Sequence, residues 1–201
     1  MIDISEIPVF KKHISTLKET SKDFHERNQE IFLIESQQQA INFDEVKNEY
    51  ITGLNLVKTP CSVDSVFMDE NGKMFFVEFK NAHIGKKEEF PIRKKIYDSV
   101  MIFTDIVSCT ISDLRNSAEY ILVYSEDKNQ SDAPKSEKEN CSSCVQDSNS
   151  FNQIASGFAK LAHEEYVRFG IDIFKNYCFK DVHTYTEKEF ERFLSRNKVT
   201  A

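Results

Sequence analysis

Three side chains stand out for what they could do to a phosphate ester: Asp64, Glu78 and Lys80. In Met74-Phe75-Phe76-Val77-Glu78-Phe79-Lys80, alternation puts Phe75, Val77 and Phe79 on one face and Met74, Phe76, Glu78 and Lys80 on the other. Both faces are apolar over the first half, as in a strand covered on both sides. Glu78 and Lys80 then emerge together at its far end, where a charge must be paired, solvated or metal-bound to offset its burial. Asp64 opens the preceding apolar stretch, and a hairpin spanning the 14-residue separation returns Glu78 to its side. Two adjacent carboxylates repel, and a divalent cation relieves that repulsion. Hard oxygen donors suit Mg²⁺ or Mn²⁺, which keep several waters and accept phosphate oxygens. Lys80 is placed to hold or deprotonate the attacking water, or to neutralise charge on the phosphate.

The tripeptide alone discriminates nothing, because Glu-x-Lys also occurs at Glu45-Val46-Lys47 and Glu126-Asp127-Lys128. Only Glu78-Phe79-Lys80 ends an apolar strand and has an Asp at the start of a hairpin partner. The elements that must position it are readable from periodicity. Val63 to Met68 and Met74 to Lys80 are the hairpin arms, joined through an Asn71-Gly72 pair that favours positive φ. Before them, a helix runs to Tyr50 from a cap at Asn42 or Asp44, and Gly53 to Val57, closed by Pro60, reads as a strand. Earlier still, Val9, Phe10, His13, Ile14, Leu17 and Phe24 recur at helical spacing and predict one amphipathic first helix.

After the hairpin, Ile92, Ile96, Val100, Phe103 and Ile106 or Val107 share a helical face, with Pro91 in its first turn. Asp98 and Ser99 on this helix are placed to buttress the site. Tyr120 to Tyr124 is a short strand, and Ile154, Phe158 and Leu161 mark a further helix. His183 alternates on a short strand, and a capping box at Thr186 to Glu189 opens a helix burying Phe190, Phe193 and Leu194. The predicted fold is α/β of the α+β kind, a small central mixed β-sheet flanked by helices in a single domain, 1–201. Residues 125–150 hold seven serines, six acids and three lysines and read as a mobile polar insertion. Cys141 and Cys144, within it, have half-zinc spacing without a second ligand pair.

Asp64, an apolar hairpin and then Glu78-Phe79-Lys80 together resemble the active site of the PD-(D/E)XK nuclease superfamily, which includes type II restriction enzymes. The resemblance covers roughly Asn42 to Tyr124, the superfamily's helix–hairpin–helix–strand core. It implies a restriction-endonuclease-like fold, metal ligation by Asp64 and Glu78, and assistance to the nucleophile from Lys80. It also implies an acidic ligand from the preceding helix, for which Glu49 or Glu45 is placed. The chain departs from the pattern twice: Val63 stands where a Pro precedes the Asp, and Arg93 precedes Tyr97 where some relatives carry Gln.

Six bases and two acids lie between Lys80 and Lys95, in a chain whose formal charge is −7. That local excess suggests a phosphate footprint, with Lys86, Lys87, Arg93, Lys94 and Tyr97 as substrate-binding candidates. The overall acidity argues against nonspecific coating of nucleic acid. No run of 18 apolar residues exists to cross a membrane, the start Met-Ile-Asp-Ile-Ser-Glu lacks the character of an export signal, and five scattered cysteines fit a reduced cytoplasmic setting. The reading that follows is a Mg²⁺-dependent (or Mn²⁺-dependent) endonuclease hydrolysing phosphodiesters in DNA rather than RNA. Its rival is a catalytically silent protein on the same scaffold, binding a basic protein partner such as a toxin in the manner of an acidic immunity protein.

Overall fold

A strand apolar on both faces over its first half is satisfied only between two layers, and Met74–Lys80 lies there, with Phe75, Phe76, Val77 and Glu78 wholly buried. The computed structural model describes residues 4–24, 30–129 and 167–197. The first part of the chain forms α1 (Pro8–Lys12), β1 (Ile14–Thr16), α2 (Leu17–Thr20), β2 (Lys22–Phe24), β3 (Glu30–Phe32), β4 (Gln39–Asn42) and α3 (Phe43–Tyr50). There follow β5 (Ser65–Met68), β6 (Met74–Lys80), α4 (Lys86–Val107), α5 (Ile111–Ser117), β7 (Ala118–Tyr124), β8 (Asp181–Thr186) and α6 (Glu187–Arg196).

Among the described residues six strands form one mixed sheet in the order β1-β4-β5-β6-β7-β8, and β2 pairs with β3 in a separate two-stranded ribbon. Pairing is antiparallel from β1 to β6 and parallel from β6 through β8. Two cores follow from the strand alternation. On one face Phe76, Tyr120 and Leu122 pack with Phe10, Phe43, Ile96 and Phe103 from α1, α3 and α4. On the other, Phe75, Val77, Phe79 and Ile121 pack with Leu17, Phe190 and Leu194 from α2 and α6. No described helix is long and apolar enough to cross a membrane.

The hairpin forms as its pattern predicts, with Ser65 opposite Val77 and Met68 opposite Met74. Gly72 alone takes the positive φ in its turn, at 75°, while the Asp69 carboxylate accepts the N–H groups of Asn71 and Lys73. Asn42 caps α3 by accepting the Glu45 N–H, and Thr186 with Glu189 closes the capping box of α6.

Three expectations are corrected. The single amphipathic first helix is instead α1, β1, α2 and β2: β-branched Ile14 and Thr16 are drawn into the sheet edge opposite Ile41 and Gln39, and Thr16 then caps α2. Gly53 to Val57 is a loop, not a strand. The place beside β5 is taken by β4, Gly53 turns the chain at φ 87°, and Val57 is 99% exposed. Pro91 is internal to α4, which starts earlier, at Gly85 and Lys86. The helix expected around Ile154 to Leu161, the Cys141–Cys144 pair and all but the first five residues of 125–150 lie outside the described residues.

Candidate active site

Antiparallel register puts Asp64, the residue before β5, across from Glu78 on the face of the sheet that α4 covers. The backbone there is pinned from three sides. The Asp64 N–H donates to the Val77 carbonyl at 3.1 Å, and the Asp64 carbonyl accepts the Phe43 N–H at 3.1 Å. From α4, the Ser99 hydroxyl oxygen accepts the Val63 N–H at 2.8 Å and the Asp98 carboxylate accepts the Cys61 N–H at 2.7 Å. The buttressing expected of Asp98 and Ser99 is therefore present, acting on Cys61 and Val63 in the segment that leads into Asp64.

The two carboxylates converge on one ammonium. Lys95 Nζ, from α4, lies 2.7 and 2.9 Å from the two Glu78 oxygens and 3.2 Å from Asp64 Oδ1. Asp64 Oδ2 is held separately, accepting the Phe79 N–H at 2.6 Å. Side-chain exposure is 0% for Glu78, 15% for Asp64 and 26% for Lys95, so the triad opens to solvent on the lysine's side. Burial, and then the charge of Asp64, push the Glu78 carboxyl up to about 8, with Lys95 pulling back only part of the rise. Burial likewise raises Asp64 against the opposing effects of Lys95 and the Phe79 N–H. For Lys95 burial works the other way, but Glu78 and Asp64 outweigh it and hold the ammonium protonated.

Asp64, Glu78, Lys80 and Lys95 line a cavity of about 370 Å³, with Asn81 and Ala82 from the loop after β6 and Thr20 to Asp23 from the α2–β2 corner. Lys80 is half-buried at the end of β6, and its charge reaches Glu78. The Tyr120 hydroxyl, on β7 and on the same sheet face as Glu78, is buried without a hydrogen-bond partner among the described residues. Burial, then the charges of Glu78 and Asp64, push it well above the ordinary tyrosine value.

The remaining candidates are placed elsewhere. Glu49 does not line the cavity; Lys12 at 2.6 Å and His13 at 2.8 Å hold its carboxylate against the end of α1, and Glu45 is exposed. The carboxylate of α3 nearest the site in its effect is Asp44, which accepts the Ser62 hydroxyl and whose field reaches both Asp64 and Lys95. Arg93 donates to Glu89 and to the Gly170 carbonyl, Lys94 pairs with Asp98, and the Tyr97 ring packs 5.0 Å from Phe174. Lys87 is exposed, and Lys86 lines a second cavity of about 410 Å³ with His83 and Arg168. None of these five reaches the carboxylate cavity; of the basic cluster, Lys80 and Lys95 do.

Lys95 is the residue that motif reasoning passes over. Its signal was in the helix pattern, where a lysine sits inside the buried stripe of Ile92, Ile96, Ser99 and Val100. A charge on that stripe needs a buried partner.

The donor set suits a hard divalent ion: three carboxylate oxygens facing one point, in a cavity that leaves room for water and a phosphate oxygen. Among the described residues no group of three His, Cys, Asp or Glu side chains converges, so Glu49 forms no trio with Asp64 and Glu78. No family model, curated protein or solved structure matches the chain, and its function has to be read from these residues.

Proposed function

We propose that the chain is a metal-dependent phosphodiesterase acting on nucleic acid, DNA before RNA, on a scaffold of the PD-(D/E)XK, restriction-endonuclease-like kind. The observation that carries this reading is the convergence of Asp64 and Glu78, from neighbouring antiparallel strands, within 3.2 Å of one ammonium beside a cavity that Lys80 also lines. The order α3, hairpin β5–β6, α4 and parallel β7 supports the scaffold.

Asp64 and Glu78 would hold Mg²⁺ or Mn²⁺, which supplies Lewis acidity toward a phosphate oxygen and toward water. The chain's own residues do the rest. Asp64 is fixed in orientation by the Phe79 N–H, and Val63 by Ser99, so the carboxylate needs no rearrangement when substrate arrives. Lys80, which lines the same cavity, is placed to orient the attacking water and to offset the negative charge that builds on the phosphoryl and leaving oxygens as the P–O bond breaks.

Purified chain incubated with labelled duplex and single-stranded DNA and with RNA, in Mg²⁺ or Mn²⁺, is expected to cut DNA. Asp64→Ala or Glu78→Ala should abolish cleavage, and Lys80→Ala should slow it by roughly 10²-fold or more. Robust cleavage by either folded carboxylate variant refutes the reading.

One observation favours a second reading. Lys95 already bonds to both carboxyl groups and offsets one of their charges, as a silent scaffold would need. The chain would then be an acidic binding protein for a basic partner, and no substrate would be cut under any metal.

A further inference from the structure

Lys95 Nζ occupies the point toward which three carboxylate oxygens face. Mg²⁺ ligated by those oxygens would lie about 2.0–2.1 Å from each, inside the contact shell of an ammonium already there. A second positive charge a few ångströms from the first also costs free energy in a site this buried. The two cations therefore exclude one another.

We propose that Lys95 is an internal stand-in for the divalent ion, that the two compete for the Asp64–Glu78 pair, and that metal enters only as the ammonium leaves. This rests on reading Asp64 and Glu78 as ligands and adds a residue that the superfamily resemblance does not assign. Three features support a lysine that can leave. Its backbone is locked in the middle of α4, yet its side chain is a quarter exposed and lines the cavity. Four flexible carbons let the head move without disturbing the helix. Lys80 stands on the same cavity and its charge already acts on Glu78, so the carboxylate pair keeps a cationic neighbour in either state. What Lys95 does meanwhile is hold two buried carboxyl groups together that would otherwise push each other apart. Removing one partner of such a cluster strands the others, so the lysine keeps the metal-free chain folded.

Titration calorimetry with Mn²⁺ alone tests the competition, using wild type and Lys95→Met. The variant should bind Mn²⁺ about tenfold more tightly or better, the scale of a lost charge-assisted hydrogen bond. Its melting temperature should be lower than wild type without metal and should rise more on adding it. Because Lys95→Met can fail to fold, the wild type is probed as well, by reductive methylation read residue by residue in mass spectrometry. Lys95 should be shielded in chelator and modified several-fold faster in millimolar Mg²⁺. Equal Mn²⁺ affinity in wild type and folded Lys95→Met, with an unchanged methylation rate, overturns the competition and leaves the ligand assignment standing. Absence of divalent binding to both proteins overturns the two together. Tighter binding by the variant beside a wild type that cuts nothing supports the competition and removes the nuclease.

Discussion

At the scale of single residues the site is one electrostatic unit: two buried carboxyl groups share one ammonium, and the pair's second charge is the expensive one. Glu78 rises from 4.5 to about 8 because burial and Asp64 disfavour its charged form. The sign of the consequence is fixed by linkage. Below 4.5 the carboxyl is protonated folded or unfolded and contributes nothing. Between there and about 8 the folded chain binds more protons than the unfolded one, so stability falls as pH rises. In chelator, wild-type unfolding free energy should therefore decline from pH 5 to 8 relative to Glu78→Gln, by up to about 1.4 kcal/mol per pH unit. Denaturant melts of both proteins at four pH values check it; parallel curves would contradict the assignment. Asp64 and Glu78 were legible because period-two alternation and hairpin register leave little freedom. Lys95 was not, because nothing in a tripeptide motif points along a helix 15 residues downstream, and the anomaly was only its place among Ile92, Ile96 and Ser99. Glu49 misleads for a related reason: five residues along α3 turn a side chain by a net of about 140°, so Asp44 meets the Ser62 hydroxyl while Glu49 meets Lys12 and His13.

At the scale of elements, α4 positions more of the site than any strand does. Along one stripe it packs Ile92, Ile96, Val100 and Phe103 into the core, delivers Lys95 to the carboxylates, and hooks the segment before Asp64 through Asp98 and Ser99. Ser99→Ala removes the acceptor of a buried N–H, and should destabilise the fold by about 1–3 kcal/mol. It should also lower any cleavage rate more than a surface change of equal stability cost, since the segment leading into Asp64 loses its hold at Val63; comparison with a matched surface variant separates the effects. Elements with strong periodicity or caps were legible here: α3 from Asn42, the β5–β6 hairpin, α6 from its capping box. Those that failed share a cause. Helical spacing of Val9 to Phe24 was real, but tertiary pairing of Ile14 to Thr16 with β4 overrides it, and the place beside β5 that Leu54 to Val57 would need is filled by β4.

At the scale of the whole molecule, the sheet separates two aromatic cores that share only β6 and its neighbours. Phe103 stacks with Phe10 and edges onto Phe76 on one face, whereas Phe190 meets Phe79 and Phe193 on the other. Phe103→Ala and Phe190→Ala should each cost about 3–5 kcal/mol. Since the two do not touch a common cluster, the double variant should be additive within about 0.5 kcal/mol by denaturant unfolding. The mixed α/β layering was readable from the order of the elements, while the six-strand order was not, because β1 and β4 carry too few residues to announce themselves. One last consequence attaches to the 22-residue length of α4. Its ammonium and its two hooks ride on a single rod, so their spacing is a matter of phase. Lengthening the 53–60 loop leaves that phase alone, but one extra residue between Ile96 and Asp98 rotates the halves by about 100° against each other. Length changes are thus tolerable around this site and forbidden across it.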